Sequence, residues 1–157
     1  MPDQHLNPPR TYLHGYLAAG YALFIIYASL SPFSGWQEQG LGLLEVMAAP
    51  LKLTFTWFDF SVNVLAYLPL GFFLAMMLRR RFSRIPGLLL AVAAGALLSL
   101  LLEYAQMYLP ARVSSNSDLL SNSTGALCGA LLAGYLARHA FYVRLQHWHA
   151  QWFSHGH

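Results

Sequence analysis

Two long apolar runs, residues 85–109 and 118–137, are separated only by a short segment of ionisable and amide side chains, within EYAQMYLPARVSSNSDLLSN. About 20 apolar residues cross the hydrocarbon core of a bilayer, and there a helix is the single-segment structure that satisfies its own backbone. Both runs are therefore predicted to be spanning helices, and the short connection makes them an antiparallel hairpin. Gly87, Ala91, Gly95 and Ser99 recur every four residues and lead to Glu103 at the same interval. Asp118, Asn122, Gly125, Gly129 and Ala133 follow at intervals of three or four. Each set shares one helix face, and small residues on such faces let helices approach closely in lipid. The hairpin brings the acidic end of one face to the Asp/Asn end of the other, which predicts a buried polar cluster at one membrane surface.

Composition supports a bilayer setting. The chain is 57% hydrophobic and 10% charged, with a mean hydropathy of +0.44, whereas a soluble domain is about 25% charged. With no long Pro/Ser tract to divide two cores, a single membrane domain is expected. The formal net charge of +3 comes from basic residues at loops and ends, a topological signal rather than a nucleic-acid footprint. Cys128 is the only cysteine, which excludes an intramolecular disulfide. Its place between small residues suggests a packing role.

Residues 1–14 are polar and proline-bearing and are expected to form a cytoplasmic segment rather than a cleaved signal. The first span covers residues 15–30 and stops at Ser31 and Pro32. Between 33 and 58, Trp36, Glu38, Glu45, Pro50, Lys52 and Trp57 interrupt the leucines. That stretch predicts a short interfacial helix or re-entrant piece near 41–49, with an extended segment possible at Leu51, Leu53, Phe55 and Trp57. The second span starts at Asp59, carries Asn63 one turn later, and is expected to kink near Pro69. The RRRFSR run at 79–84 marks a cytoplasmic loop. Of the nine Lys and Arg residues only Lys52 and Arg112 fall on the other side, so four spans run N-in and C-in. In the tail, 138–157, Phe141, Leu145, Trp148 and Trp152 form one stripe of an amphipathic cytoplasmic helix. Its His147, His149, His155 and His157 lack a carboxylate or Cys at ligand spacing, so no metal and no cofactor are expected. The expected architecture is an all-α integral membrane four-helix bundle with interfacial segments, its transmembrane domain at 15–137.

Half of the six acids, Asp59, Glu103 and Asp118, fall in the polar cluster. Asp59 and Asp118 suit helix capping at a first turn. Glu103 does not, because a helix reaching 109 would place it about 10 Å inside the end, where a carboxylate costs roughly 2.5–3.5 kcal/mol. Gln106 can share its face, and the planar fork of Arg112 suits either an ion pair with Glu103 or Asp118 or a phosphate. Asn63 and Asn122 suit interhelical hydrogen bonds. Asn122-Ser123-Thr124 matches a glycosylation pattern but lies on a helical face, and it is set aside. Asp59-x3-Asn63 and Asp118-x3-Asn122 echo one another, as two related hairpins would.

These residues resemble the VanZ-like family of bacterial membrane proteins, named for a member associated with resistance to the glycopeptide teicoplanin. The carriers are SLSPF at 29–33, the run from Asp59 through Asn63 to Gly71, and Glu103, Gln106, Arg112, Asp118, Asn122, Gly125 and Gly129 in an E-x-x-Q…R…D-x-x-x-N-x-x-G pattern. The resemblance implies a multi-pass protein of the bacterial cytoplasmic membrane with a link to envelope-acting antibiotics in some members. The leading expectation is an outward-facing pocket of Asp59, Asn63, Gln106, Arg112 and Asn122, with Glu103 and Asp118, that binds an anionic lipid or lipid-linked envelope precursor. One alternative makes Glu103 and Asp118 the acid/base pair of an enzyme acting on lipid-linked phosphate or glycosyl groups. Another makes the chain an accessory subunit bound to a membrane-protein partner.

Overall fold

The computed structural model describes residues 12–40, 42–48 and 56–139. Five helices form: α1 Leu13–Leu30, α2 Leu43–Ala48, α3 Trp57–Leu78, α4 Arg84–Gln106 and α5 Asn116–Leu136. Among the described residues there is no strand, and α1, α3, α4 and α5 are each long and apolar enough to cross a membrane. The short helix α2 lies within the stretch where an interfacial helix is expected. The segment before residue 12, residues 51–55 of the expected alternation and the tail beyond residue 139 lie outside the described residues; Trp57, the last member of that alternation, is helical and opens α3 because Thr56 caps the helix there.

Local chemistry sets the helix ends. Thr56 caps α3: its Oγ1 accepts from the Asp59 N–H at 3.1 Å while its hydroxyl donates to the Asp59 carboxylate. α3 then continues through Pro69 to Leu78. α4 ends three residues earlier than the apolar run suggests. Tyr108 N–H turns back to Ala105 O and Leu109 N–H to Gln106 O, tightening the chain ahead of Pro110. This turn folds Met107 and Leu109 into the bundle, both buried, and leaves Glu103 in the last turn of α4 rather than deep within it.

α5 is the central helix, with 39% of its apolar window buried against 11% for the peripheral α1. Its most extensive contact is with α3, not with α4, its partner in the expected hairpin. Gly125 lies against Val64 and Gly129 against Leu68, so numbers rise together and the two helices run parallel. α4 packs on the same helix through Gly95, opposite Ala126. The small stripe Gly87, Ala91, Gly95, Ser99 of α4 is buried throughout, as is Asn122, Gly125, Gly129, Ala133 of α5. Cys128 points away from that stripe and is exposed, so it has no packing role between small residues. The outer surface carries Leu23, Phe24, Leu65, Leu89, Leu97, Leu101 and Leu131, all exposed, as a bundle solvated by lipid requires.

The α3–α5 contact admits no side chain. A Cβ at Gly129 would sit 1.9 Å from the Leu68 carbonyl oxygen, whereas one at Gly134 meets nothing within 4 Å. Gly129→Ala should therefore destabilise the bundle by about 1–3 kcal/mol through forced separation of two backbones. Gly134→Ala should be neutral, or stabilising by up to about 1 kcal/mol. Unfolding titrations in mixed micelles measure both, and equal effects would remove this account of the packing.

Candidate functional site

The end of α4 meets the start of α5 through a carboxylate. Glu103 is 3% exposed, and its Oε2 accepts from the Ser115 backbone N–H at 2.7 Å and from the Ser114 hydroxyl at 2.9 Å. Ser115 is the N-cap of α5, with its own Oγ accepting from Ser117 N–H. In a capping box the acid at the third helical position takes the N-cap N–H. Here that N–H goes to Glu103 from another helix. Asp118, at the third position of α5, is spared that bond, and its carboxylate lies beside the Asn63 amide.

Arg112 and Gln106 serve a different terminus. Arg112 Nη2 donates to Ala28 O and Ser31 O, both at 2.9 Å, and Nε donates to Ser31 O at 3.3 Å. Gln106 Nε2 donates to Ser29 O at 3.1 Å. These carbonyls close α1, where the last turn has no intrahelical donors and carries the negative end of the dipole. Among the described residues no ion pair joins Arg112 to Glu103 or Asp118, because its fork is occupied by the carbonyls of α1. Nη1 is left without a protein acceptor.

Between α1, α3, α4 and α5 lies a cavity of about 480 Å³, bordered by Asn63, Glu103, Gln106, Arg112, Asp118 and Asn122. Six of the seven residues singled out in the sequence thus meet at one space. Asp59 is not among its lining residues: it is exposed and engaged with Thr56. Phe24, Val62 and Val113 stand at the rim and are exposed.

Deeper in, Asn122 Nδ2 donates to Ser99 Oγ at 2.9 Å. Its Oδ1 and the hydroxyl of Tyr67 are buried without a partner in hydrogen-bonding geometry, the Ser99 side chain lying near that hydroxyl, and both residues border the cavity. Tyr67 and Ser99 escaped the sequence reading. Tyr67 stands four residues after Asn63, on the same face, a spacing that points to it; Ser99 counted only as a small residue. A buried polar atom left unpaired costs about 1–3 kcal/mol, so two of them beside one open space mark a place built to receive hydrogen-bonding groups. The unpaired acceptors among the described residues are Asn122 Oδ1 and Glu103 Oε1, while the Asp118 carboxylate already accepts from the Asn63 amide. The donors left over are the Tyr67 hydroxyl and Arg112 Nη1. Such a wall suits hydroxyl, ammonium or amide groups, with an anionic group accommodated at Arg112. Among the described residues no group of three His, Cys, Asp or Glu side chains is arranged to hold a metal ion.

The model of the VanZ/LLP1 family matches residues 15–138, a span that includes the four membrane-length helices except the first two residues of α1 and every described residue lining the cavity. No curated protein and no solved structure matches the chain.

If Arg112 holds the end of α1, its loss is felt without any ligand. Arg112→Ala should destabilise the bundle by about 1.5–3 kcal/mol, the range for hydrogen bonds involving a charged group. Arg112→Lys should recover only part of that, because an ammonium does not reproduce the fork. Unfolding in mixed micelles tests both, and full recovery with lysine would show that charge alone is required.

Proposed function

The chain belongs to the VanZ/LLP1 family, and from that premise and the cavity we propose that it is a binding protein for the polar headgroup of a membrane lipid or lipid-linked envelope precursor. The observation that carries the reading is the pair of buried, unpartnered atoms, Tyr67 Oη and Asn122 Oδ1, beside a cavity of about 480 Å³. That volume lies in the range of roughly 300–1,000 Å³ usual for small-molecule sites. Tyr67 donates to the bound group and Asn122 accepts from it. Glu103 and Asp118 receive hydroxyl or amide protons, while Arg112 Nη1 meets the phosphate that ties the headgroup to its lipid. The exposed rim residues Phe24 and Val62 sit where the apolar part of the ligand would lie, so the headgroup enters sideways from the bilayer. A lipid-linked precursor also accords with the teicoplanin association of the resembling family, since glycopeptides act on the envelope.

In this reading the protein resides in the bacterial cytoplasmic membrane with the cavity on the outer side. The basic turn at Arg79, Arg80 and Arg81 then lies inside, as the positive-inside rule requires.

Two experiments test the proposal. Mass spectrometry of the protein purified in mild detergent should identify a co-purified lipid bearing hydroxyl or amide groups. Tyr67→Phe should reduce its amount about tenfold, the effect of a lost hydrogen bond worth roughly 1.4 kcal/mol. An unchanged lipid complement in that variant would sink the binding role. For orientation, Val113→Cys in a Cys128→Ser background should react with an impermeant maleimide on intact cells, and Ser83→Cys only after permeabilisation. The opposite pattern would move the cavity to the cytoplasmic side and exclude an outward-facing precursor site.

A further inference from the structure

The opposite end of the bundle carries a second cavity that the headgroup site does not use. It measures about 280 Å³ and lies between the start of α4 and the ends of α3 and α5, with Arg79, Arg84, Arg138, Ile85, Leu88 and Leu131 in its wall. Among the described residues no Asp or Glu lines it. Arg79 is fixed in place, because its Nη1 donates to Ala133 O at 3.1 Å and Gly134 O at 3.4 Å. Arg84 and Arg138 have no acceptor or ion-pair partner among the described residues.

Arg79 is offset by the carbonyls at the end of α5, which leaves the exposed guanidinium groups of Arg84 and Arg138 beside one space with no acidic side chain of the described residues to balance them. The backbone adds to the demand. α4 begins at this cavity, its N-cap Ser83 makes no side-chain cap bond, and its first turn holds no acid. α3 and α5 each have both a capping side chain and a first-turn acid. The N–H groups and positive dipole end of α4 are thus left uncompensated beside Arg84, an arrangement that attracts a phosphate. The remainder of the wall is aliphatic, and Ile85 and Leu131 are exposed on the surface that meets hydrocarbon. A free inorganic anion gains nothing from those carbons, whereas a lipid uses both parts.

We propose that this cavity is a binding site for one anionic membrane phospholipid, with its phosphate held by Arg84, Arg138 and the start of α4. Ile85, Leu88 and Leu131 take the first carbons of its acyl chains. Arg79 sets the depth of the site, since its own bonds tie the end of α3 to the end of α5. A bound lipid then joins α4 to that pair and clamps three helices at one membrane surface.

The test is lipid retention by the full chain. Delipidated protein is mixed with phosphatidylglycerol or phosphatidylcholine, and the lipid retained per chain is read by native mass spectrometry. Wild type should hold phosphatidylglycerol in preference. The Arg84→Gln/Arg138→Gln variant should lose that retention at least about tenfold, taking roughly 1 kcal/mol for each arginine near an anionic surface. Arg80→Gln/Arg81→Gln makes the same change in charge in the adjacent turn but outside the cavity wall, and should retain the lipid. Gly134→Phe fills the cavity without altering charge, since a side chain there enters open space, and should also lose retention. It decides the question if the double arginine variant does not fold. Tyr67→Phe, which acts on the other cavity, should leave intact the part of this retention that the double arginine variant loses. Equal loss in the Arg80/Arg81 variant, equal retention of phosphatidylcholine, or displacement by excess inorganic phosphate would each overturn the proposal.

Discussion

The close approach of α3 and α5 governs the rest of the bundle. Lipid offers no hydrophobic drive for helices to associate, so contact must come from packing and hydrogen bonds between surfaces that fit. Gly125 and Gly129 on α5 and Gly71 on α3 bring backbone against backbone, with no room for a Cβ at any of the three. Because the helices run parallel, their N-terminal halves lie side by side. Asn63 consequently sits beside Asp118, and both Tyr67 and Asn122 border one cavity. The polar site follows from glycines that carry no chemistry themselves.

Polar groups in low dielectric need partners, and this chain distributes them unevenly. Glu103 is committed through Oε2 to the start of α5, Arg112 and Gln106 to the end of α1. These bonds fix three helices around the cavity and supply its rigid frame. What the frame leaves unpaired is small in number and faces inward, which is the arrangement expected of a preorganised binding site. Glu103 shows how one residue serves both purposes: one oxygen caps a helix while the other borders the cavity.

The two ends of the bundle use arginine alike for structure and surround it differently. Arg112 at one end and Arg79 at the other each donate to carbonyls of a helix C-terminus, the position where a cation best offsets the dipole. Around Arg112 the neighbouring side chains are acids and amides. Around Arg79 they are further arginines. In the proposed roles the first environment suits a headgroup with hydrogen-bond donors and the second a phosphate.

Sequence by itself determined the spans, because the length of an apolar run is set against the thickness of a bilayer and needs no knowledge of neighbours. It also located the polar cluster, since residues three or four apart share a helix face whatever that face later touches. Glu103, Gln106, Asp118, Asn122 and Asn63 were legible for that reason, and Arg112 as the basic residue of the short connection between two spans. Only tertiary structure decided which faces met. The small stripe of α5 lies chiefly on α3 rather than on its hairpin neighbour, a choice made by backbone fit between segments distant in the chain. It likewise decided that Arg112 binds carbonyls of α1 and, among the described residues, no acid, and that Cys128 faces outward. Tyr67 became a site residue in the same way. A tyrosine in an apolar helix carries no local mark of whether its hydroxyl finds a partner; that depends on three other helices closing around it and leaving a space at its tip.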